Sequence, residues 1–199
     1  MNTRRTPRSA PRQRNQLRII AGKWRGRRIG FPDLCGLRPT GDRIRETLFN
    51  WLAPHLPGAV CLDAFAGSGA LGFEALSRGA AEVVFVEQDR DACAQLAANR
   101  ELLAATGATI VQEAFLPWLA RGGLPSFDIV FLDPPFADNL QTLCLEALLA
   151  SDALHHQSLI YVESPRELPP ALPSPWRVHR EKVSGAVRYQ LLDTGSRAD

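Results

Sequence analysis

Two short segments hold the residues whose types and spacing suit chemistry. The first reads Asp63-Ala-Phe-Ala-Gly-Ser-Gly-Ala-Leu-Gly72 and follows an apolar, strand-like run over 59–64. Gly67, Gly69 and Gly72 satisfy a G-x-G-x-x-G spacing, and Glu87 ends the next apolar run, twenty residues after Gly67. Glycines so spaced let backbone approach a ligand closely, and a carboxylate ending the following strand accepts hydrogen bonds from both hydroxyls of a ribose. An adenosine-containing cofactor suits such a turn. The turn alone does not separate a nicotinamide dinucleotide from S-adenosylmethionine. Asp63 favours the latter, because it would face the anionic pyrophosphate of a dinucleotide, whereas S-adenosylmethionine has no phosphate and carries a cationic sulfonium and ammonium.

The second segment is Asp133-Pro134-Pro135-Phe136, directly after the apolar run FDIVFL over 127–132. Two consecutive prolines neither continue a sheet nor donate hydrogen bonds, so they form a rigid turn. That turn presents the Asp133 carboxylate, the Pro134 carbonyl and the Phe136 ring. Two acceptors and a ring suit a planar base with an exocyclic amine: the acceptors take its two N–H groups and the ring stacks on its face. Taken singly, the first segment reads equally as a bare packing turn and the second as a structural loop with a buried Phe. Together they describe one site.

The surrounding elements place both segments at the same edge of a sheet. Ile44, Leu48, Trp51 and Leu52 recur at helical spacing, so a helix runs from about residue 40, capped by Thr40 or Asp42 and ended by Pro54 and Pro57-Gly58. Strands over 59–64, 82–87, 109–112, 127–132 and 158–163 then alternate with helices over about 71–77, 90–105, 115–120 and 139–150. This alternation predicts an α/β, Rossmann-like fold whose mostly parallel sheet is covered on both faces. Residues 17–31 read as a small N-terminal hairpin around Gly22–Gly26, and 176–192 as an antiparallel C-terminal hairpin around Ser184-Gly185. His55, His155, His156 and His179 have no spacing that suggests a site and read as surface or loop residues.

Composition excludes several classes. A chain of 199 residues with 45% hydrophobic and 22% charged residues fits one α/β domain, not a disordered chain, a fibre or a disulfide mini-scaffold. No apolar run approaches the roughly 20 residues of a membrane-spanning helix. Cys35, Cys61, Cys93 and Cys144 lie far apart without a C-x-x-C pair, which argues against zinc and disulfides and for a reducing cytosol. Cys61, inside an apolar run, reads as core. The net charge of +2 conceals a division: residues 1–45 carry 13 Lys and Arg against Asp33 and Asp42, or +11, and the rest carries −9. Such a basic arm suits a polyanion, with a solvated tail over 1–16 as the alternative. Pro7 and Pro11 argue against a transit peptide. Lys23, Arg25, Arg27 and Arg28 would grip phosphates; Trp24 among them would either stack on RNA or anchor the hairpin to the core.

D-x-F-A-G-S-G followed by D-P-P-F resembles the class I S-adenosylmethionine-dependent amino-methyltransferases. Five blocks resemble one bacterial family more closely: RIIAGKWRGRRI at 18–29, LRPTGDRIRETLFNWL at 37–52, DAFAGSGALGFEALSRGA at 63–80, FLDPPF at 131–136 and LIYVE at 159–163. That family is the 16S ribosomal RNA guanine-N2 methyltransferases (RsmD-like), and the similarity runs from about 17 to 193. The resemblance implies a seven-stranded class I methyltransferase sheet over 37–193, behind a basic tail at 1–16 and an RNA-binding hairpin at 17–36, with a short tail at 194–199. It implies S-adenosyl-L-methionine held by Asp63, Phe65, Ala66, Gly67, Ser68 and Gly69, its ribose on Glu87 and its adenosine beside Gln88, Glu113 and Ala114. Arg38, Thr40 and Arg43 would border the cofactor or the RNA. It implies one target, the N2 of guanine 966 in 16S rRNA, within the 30S subunit or an assembly intermediate, and a cytoplasmic monomer without metal or membrane.

Asp133 and the Pro134 carbonyl would then hold the guanine amine while positive charge develops on its nitrogen, with Pro135 stiffening the turn and Phe136 stacking on the flipped base. Four other classes fit less of the chain. A DNA amino-methyltransferase usually carries a large target-recognition region, for which there is little room. A protein glutamine methyltransferase typically has Asn and Tyr where this chain has Asp133 and Phe136. A nicotinamide oxidoreductase needs a substrate region and a proton donor that are not found, and a non-catalytic RNA-binding protein leaves Asp63, Glu87 and Asp133 without a role.

Overall fold

The structure is a computed structural model and describes residues 15–32, 41–135 and 140–195. A two-stranded hairpin comes first: β1 (Asn15–Arg18) pairs antiparallel with β2 (Arg28–Phe31), Leu17 opposite Ile29. Helix α1 (Asp42–Leu52) leads into the alternating region: β3 (Val60–Asp63), α2 (Ala70–Ser77), β4 (Glu82–Glu87), α3 (Arg90–Leu103), β5 (Ala108–Gln112), α4 (Phe115–Ala120), β6 (Phe127–Leu132), α5 (Leu140–Ala150) and β7 (Leu154–Pro165). Strands β8 (Arg177–Ser184) and β9 (Val187–Asp193) close the chain as a hairpin. The seven strands β3–β9 form one sheet in the order β5-β4-β3-β6-β7-β9-β8, parallel except where β9 pairs with β7 and β8.

From β3 the chain winds outward through β4 and β5, then returns to the other side of β3 with β6 and β7. The reversal leaves a crevice at the carboxyl ends of β3 and β6, the place where open α/β sheets bind ligands. The central strands are buried on both faces, as unbroken apolar runs require. Cys61, Phe85, Phe131 and Tyr161 face α1, α2 and the hairpin; Leu62, Val86, Val130 and Leu132 face α4 and α5. Cys61, Cys93 and Cys144 are buried free thiols, and burial raises all three above the usual thiol range.

The structure departs from the sequence reading at several element ends. Helix α1 has Gly41 at its N-cap position with no side-chain cap; Asp42 instead accepts from Arg45 Nη2 at 2.6 Å. Thr40, the other cap candidate, lies outside the described residues. Strand β7 begins at Leu154 and takes in His155 and His156, whose polar neighbourhood hides the strand from any apolar periodicity. What holds this extension is Asp128: its Oδ1 lies 3.0 Å from His155 Nε2, and its Oδ2 accepts from Val60 N at 2.8 Å. His179 lies exposed on β8, a surface residue as the sequence reading had it. Strand β1 opens at Asn15, two residues inside the segment read as a tail, and Thr194 is buried, its hydroxyl donating towards the carbonyls of His155 and Ser158.

All eight residues of α2 are buried, because the sheet covers one side and the N-terminal hairpin the other. The hairpin is held through its backbone. Glu74, fully buried, accepts from Ile20 N at 2.7 Å and Ala21 N at 3.0 Å and pairs with Arg78 Nε at 2.7 Å. Ser77 Oγ accepts from Trp24 N and donates to Ala21 O. Asn99 of α3 makes a reciprocal pair with Gly30 N and O. Arg45, fully buried, donates to Arg18 O and lies 3.7 Å from Glu74. At the hairpin tip a Cβ on Gly22, where φ is +79°, would lie 1.8 Å from Ser77 O, so only glycine fits. Trp24 packs into the same core at 7% exposure, which settles the alternatives left by the sequence: it anchors the hairpin and has no open face for a base. Replacing Glu74 by Ala should leave Arg78 and two hairpin N–H groups without their acceptor, costing about 3–5 kcal/mol and lowering Tm by about 10 °C. Thermal melts together with hydrogen exchange at Ile20 and Ala21 check this; unchanged protection there contradicts it.

Candidate active site

The glycine turn opens where β3 ends. Gly67 (φ +47°) and Gly69 (φ +75°) both take left-handed backbone, and a Cβ on Gly69 would meet Phe73 at 2.6 Å and Leu96 at 2.7 Å. Asp63 closes β3 at 3% exposure, and its Oδ2 accepts from Gly72 N at 2.9 Å. Burial pushes its carboxyl up to about 7; the Gly72 N–H works against that rise and the charge of Glu87 adds to it. Glu87, ending β4, holds the turn from the neighbouring strand: Oε2 accepts from Gly67 N and Oε1 from Asp89 N, both at 2.8 Å.

The other expected cofactor contacts fall along the same edge. Ala66 and Ser68 are buried in the turn, and Ala66 N donates to Val86 O at 3.0 Å. The half-buried Phe65 ring lies 5.4 Å from that of Phe115. Gln88 is exposed beyond β4. Glu113 follows β5; its N–H donates to Glu87 O at 2.9 Å and its carboxylate pairs with Arg121 at 2.6 Å. Ala114 takes the N-cap position of α4. These residues span the ends of β3, β4 and β5, a path long enough for an adenosine. Arg38 and Thr40 lie outside the described residues.

Across the crevice, β6 ends in Asp133-Pro134-Pro135, with Asp133 half-buried, Pro134 buried and Pro135 exposed. Phe136 lies outside the described residues. Ala64 N donates to Phe131 O at 3.0 Å and ties the ends of β3 and β6 together. Asp63 is level with Phe131, and Phe131 with Tyr161 of β7. Residues alternate faces along a strand, so Glu163, two residues beyond Tyr161 on β7, shares the face of Asp63, and Asp133 directly follows the last residue of β6 at the same edge. Glu163 is 5% exposed, and its Oε1 accepts from Tyr161 Oη at 2.6 Å. The Tyr161 hydroxyl is raised well above the ordinary phenol range, first by burial, then by the charge and hydrogen bond of Glu163 and by the charge of Asp133. The sequence reading assigned Glu163 no role. A signal was there: four apolar runs each carry an acid at or directly beside their last residue, Asp63, Glu87, Asp133 and Glu163.

The basic residues divide between two places. Lys23, Trp24 and Arg25 sit at the hairpin tip beside Ser77, the last residue of α2, and Arg27 Nη2 donates to Leu102 O near the end of α3. Both helices start at the catalytic edge, so these residues lie toward the opposite one. Arg28 instead lines a cleft of about 510 Å³ with Arg18, Phe31 and the start of α1. Arg43 lines a second, of about 330 Å³, with Thr47, Lys182, Ser184 and Tyr189. Since Val187 pairs with Pro165 just beyond Glu163, this second cleft flanks the acidic edge. Arg18 and Lys182 line these clefts beside the residues that the sequence reading named.

A central glycine turn, an acid at the end of the next strand and this strand order define a class I methyltransferase. The family model described as Conserved hypothetical protein 95 matches residues 17–193. The chain is 51% identical over 177 residues to Ribosomal RNA small subunit methyltransferase D of Escherichia coli (strain K12), covering 88% of this chain and 89% of that protein. The protein of the same name from Haemophilus influenzae is 45% identical over 184 residues, 91% of this chain and 95% of that one. Among solved structures, the putative methyltransferase yhhF from Escherichia coli superposes with a TM-score of 0.85 at 48% identity, over 92% of this chain and all of that one. A putative methyltransferase complexed with SAH, SMU.776, shares the fold at a TM-score of 0.68 and 14% identity, over 94% of this chain and 57% of its own. The chain belongs to the RsmD-like family of methyltransferases.

The raised Asp63 carboxyl makes a stability prediction. Its folded value near 7 stands above its ordinary 3.8, so the folded state holds the proton more tightly, and stability falls as pH rises from about 4 to 7. Asp63→Asn keeps an acceptor for Gly72 N and removes the buried charge. It should stabilise the free protein by up to about 4 kcal/mol at pH 8 and by almost nothing at pH 4. Thermal melts of both proteins across that range check the slope; a pH-independent difference contradicts it.

Proposed function

We propose that the chain methylates ribosomal RNA, moving the methyl group of S-adenosyl-L-methionine to the exocyclic N2 of guanine 966 in 16S rRNA, within the 30S subunit or an assembly intermediate. The observation that carries this reading is the pairing of two half-sites on adjacent strands: the glycine turn and Asp63 at the end of β3, and Asp133-Pro134 at the end of β6. The names of the relatives support the ribosomal RNA substrate. The edge also fits the cofactor, for its acids complement a sulfonium and an ammonium, and its left-handed glycines bring backbone against a ligand without phosphate. We further propose that the protein acts as a cytoplasmic monomer, without metal.

When bound, S-adenosylmethionine supplies the methyl on a sulfonium whose carbon–sulfur bond breaks as the amine nitrogen bonds to carbon. The chain's task is to make a poor nucleophile attack. The guanine amine shares its lone pair with the ring; the Asp133 carboxylate and the Pro134 carbonyl accept from its two N–H groups and favour the pyramidal form. Positive charge grows on that nitrogen, and fixed acceptors in a partly buried edge stabilise it. The surplus N–H proton then leaves past Asp133 to water. Asp63 and Glu87 hold the turn, and Glu87 retains lone pairs for ribose hydroxyls beyond the two it gives to backbone. Lys23, Arg25, Arg27, Arg28 and Arg43 hold phosphates.

Labelled methyl from S-adenosylmethionine, offered with naked 16S rRNA, 30S particles lacking the modification and duplex DNA, tests the reading once the labelled base is mapped. Label on guanine N2 of the particle is the expected result; label on DNA alone overturns the substrate. Asp133→Ala should lower turnover by about 10²–10³-fold while S-adenosylhomocysteine binds as before; an equal loss of both would remove Asp133 from the methyl-transfer step. Arg28→Ala and Arg43→Ala should each weaken RNA binding and reduce the slope of log K against log salt by about one. Filter binding at several salt concentrations measures that slope.

A further inference from the structure

Glu163 is a buried carboxylate that the chemistry described above does not use. It lies two residues before the end of β7 and beside the end of β6: Leu132 pairs with Val162, so Asp133 and Glu163 are the residues that directly follow this pair, where neighbouring strands run about 4.8 Å apart. The two acids stand at the same edge of the sheet, and the Tyr161 hydroxyl donates to Glu163 Oε1, fixing how its carboxylate is turned. Burial and Glu163 raise that hydroxyl above the ordinary phenol range, and the charge of Asp133 adds to the rise. A carboxylate at 5% exposure is costly to bury, and a core strand has no need of one. A Val or Leu there would pack against Tyr189, its partner across β9, at lower cost.

The chemistry of the target base accounts for it. Adenine and cytosine also carry an exocyclic amine, but the ring nitrogen next to that amine is an acceptor. In guanine one of the two ring nitrogens beside the amine, N1, carries a hydrogen. A single acceptor pair at the amine cannot tell these bases apart; a second carboxylate alongside can, because it binds an N–H and repels a lone pair. We propose that Glu163 accepts the N1–H of the target guanine and thereby selects guanine over the other amine-bearing bases, with Tyr161 as its positioning residue. This rests on the guanine reading above and names the group that would enforce it.

The test uses 30S particles reconstituted with 16S rRNA carrying guanine or 2-aminopurine at the target position; 2-aminopurine keeps the N2 amine but presents a lone pair at N1. The full-length protein should favour guanine by about 100-fold in kcat/KM, since a site built to receive an N–H rejects an analogue lacking it. Glu163→Gln keeps an acceptor for Tyr161 and can turn its amide N–H toward N1. It should lose about 100-fold on guanine, lose far less on 2-aminopurine, and bind S-adenosylhomocysteine as the parent does. Equal losses on both bases would mean a structural role and overturn the proposal, as would undiminished guanine transfer by E163Q. If E163Q does not fold, the parent still decides, because equal rates on the two bases overturn the idea. Transfer by the parent to a base other than guanine overturns the underlying reading instead, and is seen before any variant is made.

Discussion

Gly72 has no room for a side chain, and much of the molecule follows from that closeness. A Cβ there would lie 2.3 Å from the Phe85 ring and 3.0 Å from Asp63 Oδ2. Helix α2 therefore rests its backbone on the sheet, near enough for Gly72 N to bond Asp63 and aim its carboxylate at the crevice. With one side committed to β3 and β4, α2 turns Glu74 and Ser77 outward, and these take up the backbone of the N-terminal hairpin. One helix thus links the cofactor turn to the basic arm. Its acid is tolerated in the core because two N–H donors and Arg78 satisfy it, with Arg45 close by.

The charge division seen in composition takes on spatial meaning in the fold. Acids gather at the carboxyl edge, where Asp63, Glu87, Asp133 and Glu163 follow one another across β4, β3, β6 and β7. A cationic cofactor and a base presenting N–H groups are drawn to such an edge, but a phosphate backbone is repelled by it. Bases line two clefts outside it: Arg18 and Arg28 between the hairpin and the start of α1, and Arg43 and Lys182 by the C-terminal turn. Asp63 holds its proton high first because it is buried, and the nearby charge of Glu87 at this edge adds to the rise.

Much of this was legible in the chain, because the signals are local. Apolar runs with turn residues between them mark the parallel strands and helices, and the G-x-G-x-x-G turn and the Asp-Pro-Pro-Phe turn carry their own conformational restrictions. The seven-stranded sheet with its antiparallel C-terminal pair is the architecture that the motifs implied. Where polar residues enter a strand the signal fails: β7 begins at Leu154 because Asp128, on another strand, pairs with His155, and no window around residue 155 contains that information.

Residue types and their spacing thus determined the fold class, the two turns and the family. Tertiary structure decided the rest. It buried Trp24, which composition left among the basic residues; it separated Arg28 from Lys23, Arg25 and Arg27, although all lie within six positions. It also set Glu163 beside Asp133, thirty residues away in the chain. Periodicity reports which way a side chain faces within its own element. Which strands become neighbours, and at what register, depends on non-local pairing and on the packing of helices between them, so the edge where four acids meet exists only once the sheet has formed.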